Sequence, residues 1–170
     1  MKYMLLSLGL LVGLIQGCDK EKTQVNKGCD IQKVHENNAS KVTITNGIWG
    51  TVALMEGNCM PVIEPATTTC KTCPVKRIIR IYEYTTFSQA TPQNGLGFYD
   101  SFTTQVIKEL DTDSDGFFQT ELPQGTYSIV ILENGKLHAT YFDGQGGLNP
   151  VTFNGGKQNV NLTMRYKAVF

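Results

Sequence analysis

Beyond Cys18 near the amino terminus, the chain has four cysteines that could do chemistry: Cys29, Cys59, Cys70 and Cys73. An even number of cysteines in a small chain predicts disulfide bonds where the compartment is oxidising, and the amino terminus of this chain predicts export to such a compartment. Cys59 is expected to pair with Cys70 or Cys73 and so to close the irregular stretch between them. Cys29 would then take the remaining partner. The spacing leaves both connectivities open.

Two chemically active interpretations compete with inert disulfides. Residues 70–73 read C-K-T-C, and a C-x-x-C pair is redox-active where its first thiol has a lowered pKa. No helix or βαβ pattern is predicted beside it, so redox chemistry rests on spacing alone. Cys59 and this pair could also bind a metal, although a zinc ribbon needs two close pairs and the chain has one. Met55 and Met60, near Cys59, are soft donors suited to Cu(I). A thiol- or metal-active protein is therefore the alternative.

Asp111, Asp113 and Asp115, followed by Gly116, have the spacing with which an EF-hand calcium loop opens. Such a loop places oxygen ligands at alternate positions and a glycine at its sharp turn. The twelfth position, which should carry a bidentate acid, is Leu122. The segment therefore predicts a tight turn, with weak calcium binding as the alternative.

Histidines, the commonest catalytic bases, are scarce. The sequence has His35 in a polar stretch and His138 in a predicted strand, where we expect it to be partly exposed. The chain contains no H-E-x-x-H or H-x-x-E zinc motif, no nucleophile elbow, no phosphate loop and no dinucleotide fingerprint. We therefore expect a non-catalytic protein without a cofactor.

Aromatic residues border a predicted loop at residues 86–97. Alternation along the strands explains most of them as core, but a patch on a sandwich edge could hold a glycan or a peptide. The residues concerned are Tyr82, Tyr84, Phe87, Phe98, Tyr99 and Phe102.

The amino terminus predicts export. Lys2 precedes an apolar run at residues 4–15 and then the small Gly17, the parts of a secretory signal. The run is shorter than the about 20 residues of a spanning helix. Residues 14–18 (LIQGC) resemble the lipobox of bacterial lipoproteins, which implies cleavage after residues 1–17 and acylation, including palmitate, of Cys18. The alternative is an ordinary signal peptide with Cys18 as an incidental thiol.

The charges directly after Cys18 bear on the destination. Asp19 resembles the signal that retains enteric lipoproteins on the periplasmic face of the inner membrane. The charged cluster 19–22 (DKEK) also resembles the surface-export signal of Bacteroidota lipoproteins, whose Gly- and Asn-rich style the chain shares. We favour the outer membrane or cell surface.

Length and charge bound the class of protein. Removal of residues 1–17 leaves 153 residues, enough for one domain. The remaining 14 basic and 15 acidic residues give a net charge of −1, which offers nucleic acid no basic surface. The expected partners are the membrane, through the lipid, and other envelope proteins. Residues 18–40 are polar and predict a flexible tether, and residues 41–170 should form the domain.

Apolar and polar residues alternate in most of this domain, and no segment shows sustained helical periodicity. Asn134-Gly135 between two apolar runs predicts a hairpin. The sequence therefore predicts an all-β fold, a single antiparallel β-sandwich of seven to eight strands. The predicted strands are 47–55, 75–85, 98–107, 116–122, 125–133, 137–142, 150–153 and 159–169.

Three stretches resemble one family. Residues 112–118 (TDSDGFF), 122–127 (LPQGTY) and 47–52 (GIWGTV) resemble carboxypeptidase regulatory-like (transthyretin/prealbumin-like) domains. The resemblance implies a seven-stranded β-sandwich that is an accessory or binding module on secreted bacterial proteins, with no particular ligand. We therefore expect a non-catalytic, lipid-anchored envelope protein.

Overall fold

The structure of the chain, a computed structural model, describes residues 29–61, 63, 68–93, 95 and 97–170. The predicted signal peptide 1–17, Cys18 and residues 19–28 of the predicted tether lie outside the described residues. Among the described helices, none has the length and apolar character needed to cross a membrane.

Within the described residues the chain forms one α-helix, α1 (Ile31–Ser40), a 3-10 turn at Phe87–Gln89 and twelve strands. In chain order the strands are β1 (Gly47–Asn58), β2 (Lys71–Pro74), β3 (Ile78–Glu83), β4 (Ala90–Pro92), β5 (Phe98–Phe102), β6 (Val106–Asp111), β7 (Phe117–Glu121), β8 (Gly125–Glu133), β9 (Lys136–His138), β10 (Pro150–Phe153), β11 (Lys157–Asn159) and β12 (Leu162–Val169).

The long, largely buried β1 is the centre of a five-stranded sheet. Its first half lies between β11 and β7, and its second half lies between β12 and β2. β11 and β12 run parallel to β1, whereas β2 and β7 run antiparallel. β12 is therefore a lateral edge of this sheet.

The second sheet has seven strands in the order β4-β5-β9-β8-β3-β6, with β10 beside the first half of β8. β8 and β9 form the predicted hairpin. Asn134 and Gly135 connect them with φ values of 51° and 77°, the left-handed conformations that a type I′ turn requires. The hairpin prediction is confirmed.

The two sheets pack face to face, as the predicted β-sandwich requires. Alternate residues of β8 separate two cores: Ile129 and Ile131 join the core between the sheets, and Val130 joins a smaller cluster on the opposite face. Both sets of side chains are almost fully buried. Removing this apolar surface from water is the dominant stabilising contribution. Because two sheets pack around a shared core, the prediction of an all-β sandwich is confirmed.

The predicted flexible tether is wrong for residues 29–40. Asp30 caps α1 by accepting a hydrogen bond from Lys33 N at 3.1 Å, and the helix packs against β1 and β2. The fully buried Asn38 donates to Thr51 Oγ1 and to Asp115 O. These contacts make α1 part of the domain, which therefore begins before the predicted boundary at residue 41.

The predicted strand 98–107 is two strands, β5 and β6, on different sides of the seven-stranded sheet. The crossing occurs at residues 103–105, where Thr104 Oγ1 lies 2.6 Å from Thr85 Oγ1 and Thr103 N donates to Gln89 O. The predicted strands 75–85 and 137–142 are shorter in the structure, as β3 and β9. The division of 98–107 gives nine strands, and β2, β4 and β11, which were not predicted as separate strands, bring the number of described strands to twelve.

Candidate functional site

The four cysteines form two disulfide bonds. Cys29 pairs with Cys73 and Cys59 pairs with Cys70, with Cα–Cα distances of 4.5 and 4.6 Å. Of the two connectivities left open by the sequence, the structure has the one in which Cys59 pairs with Cys70. The expected disulfide bonds are therefore confirmed. The two cysteines of the C-x-x-C belong to different bonds, and α1 lies beside β2, where no helix was predicted.

Two carboxylates of the predicted turn, those of Asp113 and Asp115, form ion pairs with one lysine. Lys41 Nζ lies 2.8 Å from Asp113 Oδ2 and 2.7 Å from Asp115 Oδ2. The other oxygen of Asp113 accepts hydrogen bonds from the backbone N–H groups of Asp115 and Phe117. The Lys41 ammonium thus stands where a calcium ion would bridge the two carboxylates.

The third acid of the predicted calcium loop, Asp111, is at the end of β6, paired with Ile78. Gly116 has φ 69°, as a tight turn requires. In the part of the chain that the structure describes, no three His, Cys, Asp or Glu side chains form a group able to hold a metal ion. The hydrogen bonds of this segment are those of the predicted turn.

Of the six aromatic residues bordering residues 86–97, most are structural. Tyr82 and Tyr99 are buried in the smaller cluster, against which Phe102 packs. Tyr84 donates a hydrogen bond to Asp143 at 2.9 Å. Phe98 packs edge-on against His138, with ring centroids 4.8 Å apart.

Phe87 is different, because half of its side chain is exposed. Its ring centroid lies 5.9 Å from that of Tyr99 and 5.6 Å from that of Phe142. We name Phe87, Tyr99 and Phe142 the aromatic surface. They line a shallow groove of ≈ 420 Å³ that Pro92 and Gly97 also border. The sequence did not indicate Phe142, since it lies far along the chain from the loop.

A second cavity, of ≈ 490 Å³, opens on the side of the sandwich, between β9 and β10 of one sheet and the edge strand β12 of the other. We name it the lateral cavity. Two strands pair with β8 on this side: residues 125–128 of β8 pair with β10, and residues 131–133 pair with β9. Apolar walls come from residues of the main core, including Ile131 and Leu162.

His138 lines the lateral cavity with only 1% of its surface exposed. The prediction of a partly exposed histidine is wrong, because the side chain shares the inner face of the sheet with Ile131. Burial lowers the pKa of His138 to about 4, although the nearby Glu133 carboxylate opposes the shift. Its Nε2 is buried and has no hydrogen-bond partner among the described residues. No described hydroxyl or thiol is therefore paired with that nitrogen as a nucleophile.

Glu133 is the buried acid of this region, 3% exposed. It pairs with the Arg77 guanidinium and accepts a hydrogen bond from the Tyr166 hydroxyl at 2.7 Å. Burial and the Glu133 carboxylate together raise the pKa of Tyr166 to about 12. A buried acid needs such partners to remain charged. All three groups therefore have structural roles beside the cavity.

Two of the three stretches that carry the carboxypeptidase regulatory-like resemblance, residues 47–52 and 112–118, are adjacent in the structure, because β1 pairs with β7 along residues 47–51 and 117–121. This pairing belongs to the sandwich and does not identify a family. The chain matches no protein-family model, and comparison with curated proteins and with solved structures finds no match either.

Proposed function

We propose that the protein is a lipid-anchored, non-catalytic component of the cell envelope whose β-sandwich is an accessory or binding module. The observation that carries the proposal is the pair of disulfide bonds, which involves every cysteine after Cys18. Disulfide bonds persist in oxidising compartments and are rare in the cytosol. They agree with the export predicted from residues 1–17.

The position of the first disulfide bond suits an anchored protein. Ten residues separate Cys18 from Cys29, and an extended chain of that length spans at most about 35 Å. An acylated Cys18 would therefore hold the sandwich close to the membrane. Two or three acyl chains anchor a protein firmly, whereas a single chain binds marginally.

The anchor is tested by a Cys18→Ala variant of the full chain in a bacterial host. We expect the wild-type protein to incorporate an alkyne-labelled palmitate and to sediment with membranes, and the variant to lose both properties. The Cys29→Ser variant, which removes a cysteine of the folded domain, should keep the label. An unlabelled wild-type protein carrying a cysteine thiol at its amino terminus would contradict the proposal. Protease treatment of intact cells then distinguishes the surface from the periplasm.

The aromatic surface supports a second candidate function, the binding of a glycan or peptide. Phe87 and Phe142 are half-exposed although they pack on one another, and exposed aromatic faces are suited to stacking on sugar rings or apolar side chains.

The thiol- or metal-active alternative would instead require that Cys70 and Cys73 be reducible under mild conditions.

A glycan array tests this second candidate. We expect the Phe87→Ser/Phe142→Ser double variant to bind any retained glycan at least about tenfold more weakly, because both stacking faces are lost. Ile107→Ser, which alters an exposed apolar residue on β6, is the matched control and should bind as the wild-type protein does. Equal binding by the double variant would contradict a role for this surface.

A further inference from the structure

The lateral cavity has the dimensions of a small-molecule site. Its volume of ≈ 490 Å³ lies within the roughly 300–1,000 Å³ typical of such sites. Its walls include apolar residues such as Val151 and Leu162, and the exposed Arg165 is among its lining residues. An apolar group of a ligand would contact the apolar wall, and a charged group would lie at Arg165.

Two of the amides that line the cavity are already used by the fold. Asn149 Oδ1 accepts hydrogen bonds from the N–H groups of Thr140 and Tyr141, and its Nδ2 donates to Ile129 O. Asn161 Oδ1 similarly accepts a hydrogen bond from Thr51 N. These side chains shape the cavity, but their hydrogen-bonding capacity toward a ligand is reduced.

His138 contributes an uncharged wall. Its pKa of about 4 keeps the ring neutral at pH 7, and its Nε2 is buried without a hydrogen-bond partner among the described residues. The same burial keeps that nitrogen out of reach of a molecule in the cavity, so the ring adds neither charge nor a hydrogen bond to the site.

Arg165 supplies the charge. It is exposed on the edge strand β12 and makes no ion pair with the described residues. The residues that line the cavity include no acidic side chain. A guanidinium binds a carboxylate through two parallel hydrogen bonds, so the charge pattern favours an anion over a cation.

We propose that the lateral cavity binds a small amphipathic carboxylate, with its apolar body against the apolar wall of the cavity and its acid group at Arg165. This site shares Thr140 with the groove that the aromatic surface lines but includes none of Phe87, Tyr99 and Phe142, and it does not depend on the lipid anchor. Binding here would make the sandwich a receptor or carrier for an organic acid.

The test uses residues 19–170, which include all described residues, exported through an unrelated cleavable signal peptide. The probes are 2-naphthoate and its uncharged counterpart 2-naphthamide, titrated at pH 7 and followed by NMR of the His138 ring and the Arg165 Nε–H group. We expect saturable naphthoate binding that shifts both signals, and naphthamide binding at least about tenfold weaker because the ion pair is missing.

Two variants locate the charge. Arg165→Gln should weaken naphthoate binding about tenfold and change naphthamide binding little. Lys76→Gln removes an exposed cation that does not line the cavity and should bind both probes normally. The proposal is overturned by equal affinity of the wild-type protein for acid and amide, by the absence of saturable binding, or by shifts confined to the aromatic surface. The comparison of acid with amide needs no variant, so it decides the matter even if Arg165→Gln fails to fold.

Discussion

A Cys29→Ser/Cys73→Ser double variant is expected to have a free energy of unfolding about 4 kcal/mol lower than that of the wild-type protein. The bond joins residues 44 positions apart, and the loop-closure relation gives about 4 kcal/mol for a loop of that length at 25 °C. Domains of this kind are stable by only about 5–15 kcal/mol. The variant should therefore be close to its folding limit, and α1 should lose its covalent attachment to β2.

Urea denaturation followed by far-UV circular dichroism measures this effect. The Cys59→Ser/Cys70→Ser variant is the matched control, because its bond spans only 11 positions and the same relation gives about 3 kcal/mol. We expect the control to be the more stable of the two. Alkylation and intact mass should also find both bonds in the wild-type protein, resistant to mild reductant. Equal stability of the two variants, or a wild-type protein with reactive thiols, would contradict this account of the disulfide bonds.

Acidification from pH 7 to pH 4 is expected to remove about 3 kcal/mol of stability through His138. Burial lowers the pKa of His138 from 6.5 to about 4 in the folded protein. Between these values the unfolded chain binds a proton that the folded protein does not, so stability falls as the pH falls. The contribution is complete above pH 6.5 and lost by about pH 4, at 1.36 kcal/mol for each unit of pKa difference.

The His138→Phe variant tests this prediction, because phenylalanine keeps an aromatic ring against Phe98 and Tyr166 and has no titratable nitrogen. Its free energy of unfolding should depend less on pH than that of the wild-type protein between pH 6.5 and 4. Glu133 is present in both proteins, so the comparison removes its contribution. The His35→Gln variant, which lacks the other histidine, shows whether the effect is specific to position 138. Parallel curves for the wild-type and His138→Phe proteins would contradict it.

Local pattern predicted much of the sheet structure. The predicted strand 125–133 has the bounds of β8, and 150–153 has those of β10, because both segments carry β-forming apolar residues bounded by turn residues. The helix α1 was not predicted. Its sequence has few apolar residues, and its stability depends on the Asp30 cap, on buried Asn38 and on a disulfide bond to a distant strand. Those are long-range contacts, which a local pattern does not contain.

For the candidate sites too, the sequence indicated the local features and not the long-range contacts. The cysteines predicted disulfide bonds, but the connectivity followed from the docking of α1 beside β2. Phe87 was indicated by its loop, whereas Phe142 reaches the aromatic surface from another part of the chain. His138 and Arg165 lie on strands of different sheets, and only the packing of the two sheets brings them to one cavity.

The Cys29–Cys73 bond also determines how the domain would bear mechanical load. If the proposed lipid anchor holds the sandwich and a partner pulls on it, tension enters the described fold at Cys29, the residue before the Asp30 cap. The covalent bond passes this tension directly to β2, which is hydrogen-bonded to the second half of β1. α1 therefore lies outside the path of the force and need not unwind under tension. The residue at which tension enters the fold is thus held by the hydrogen bonds between β2 and β1, although α1 comes before both strands in the chain.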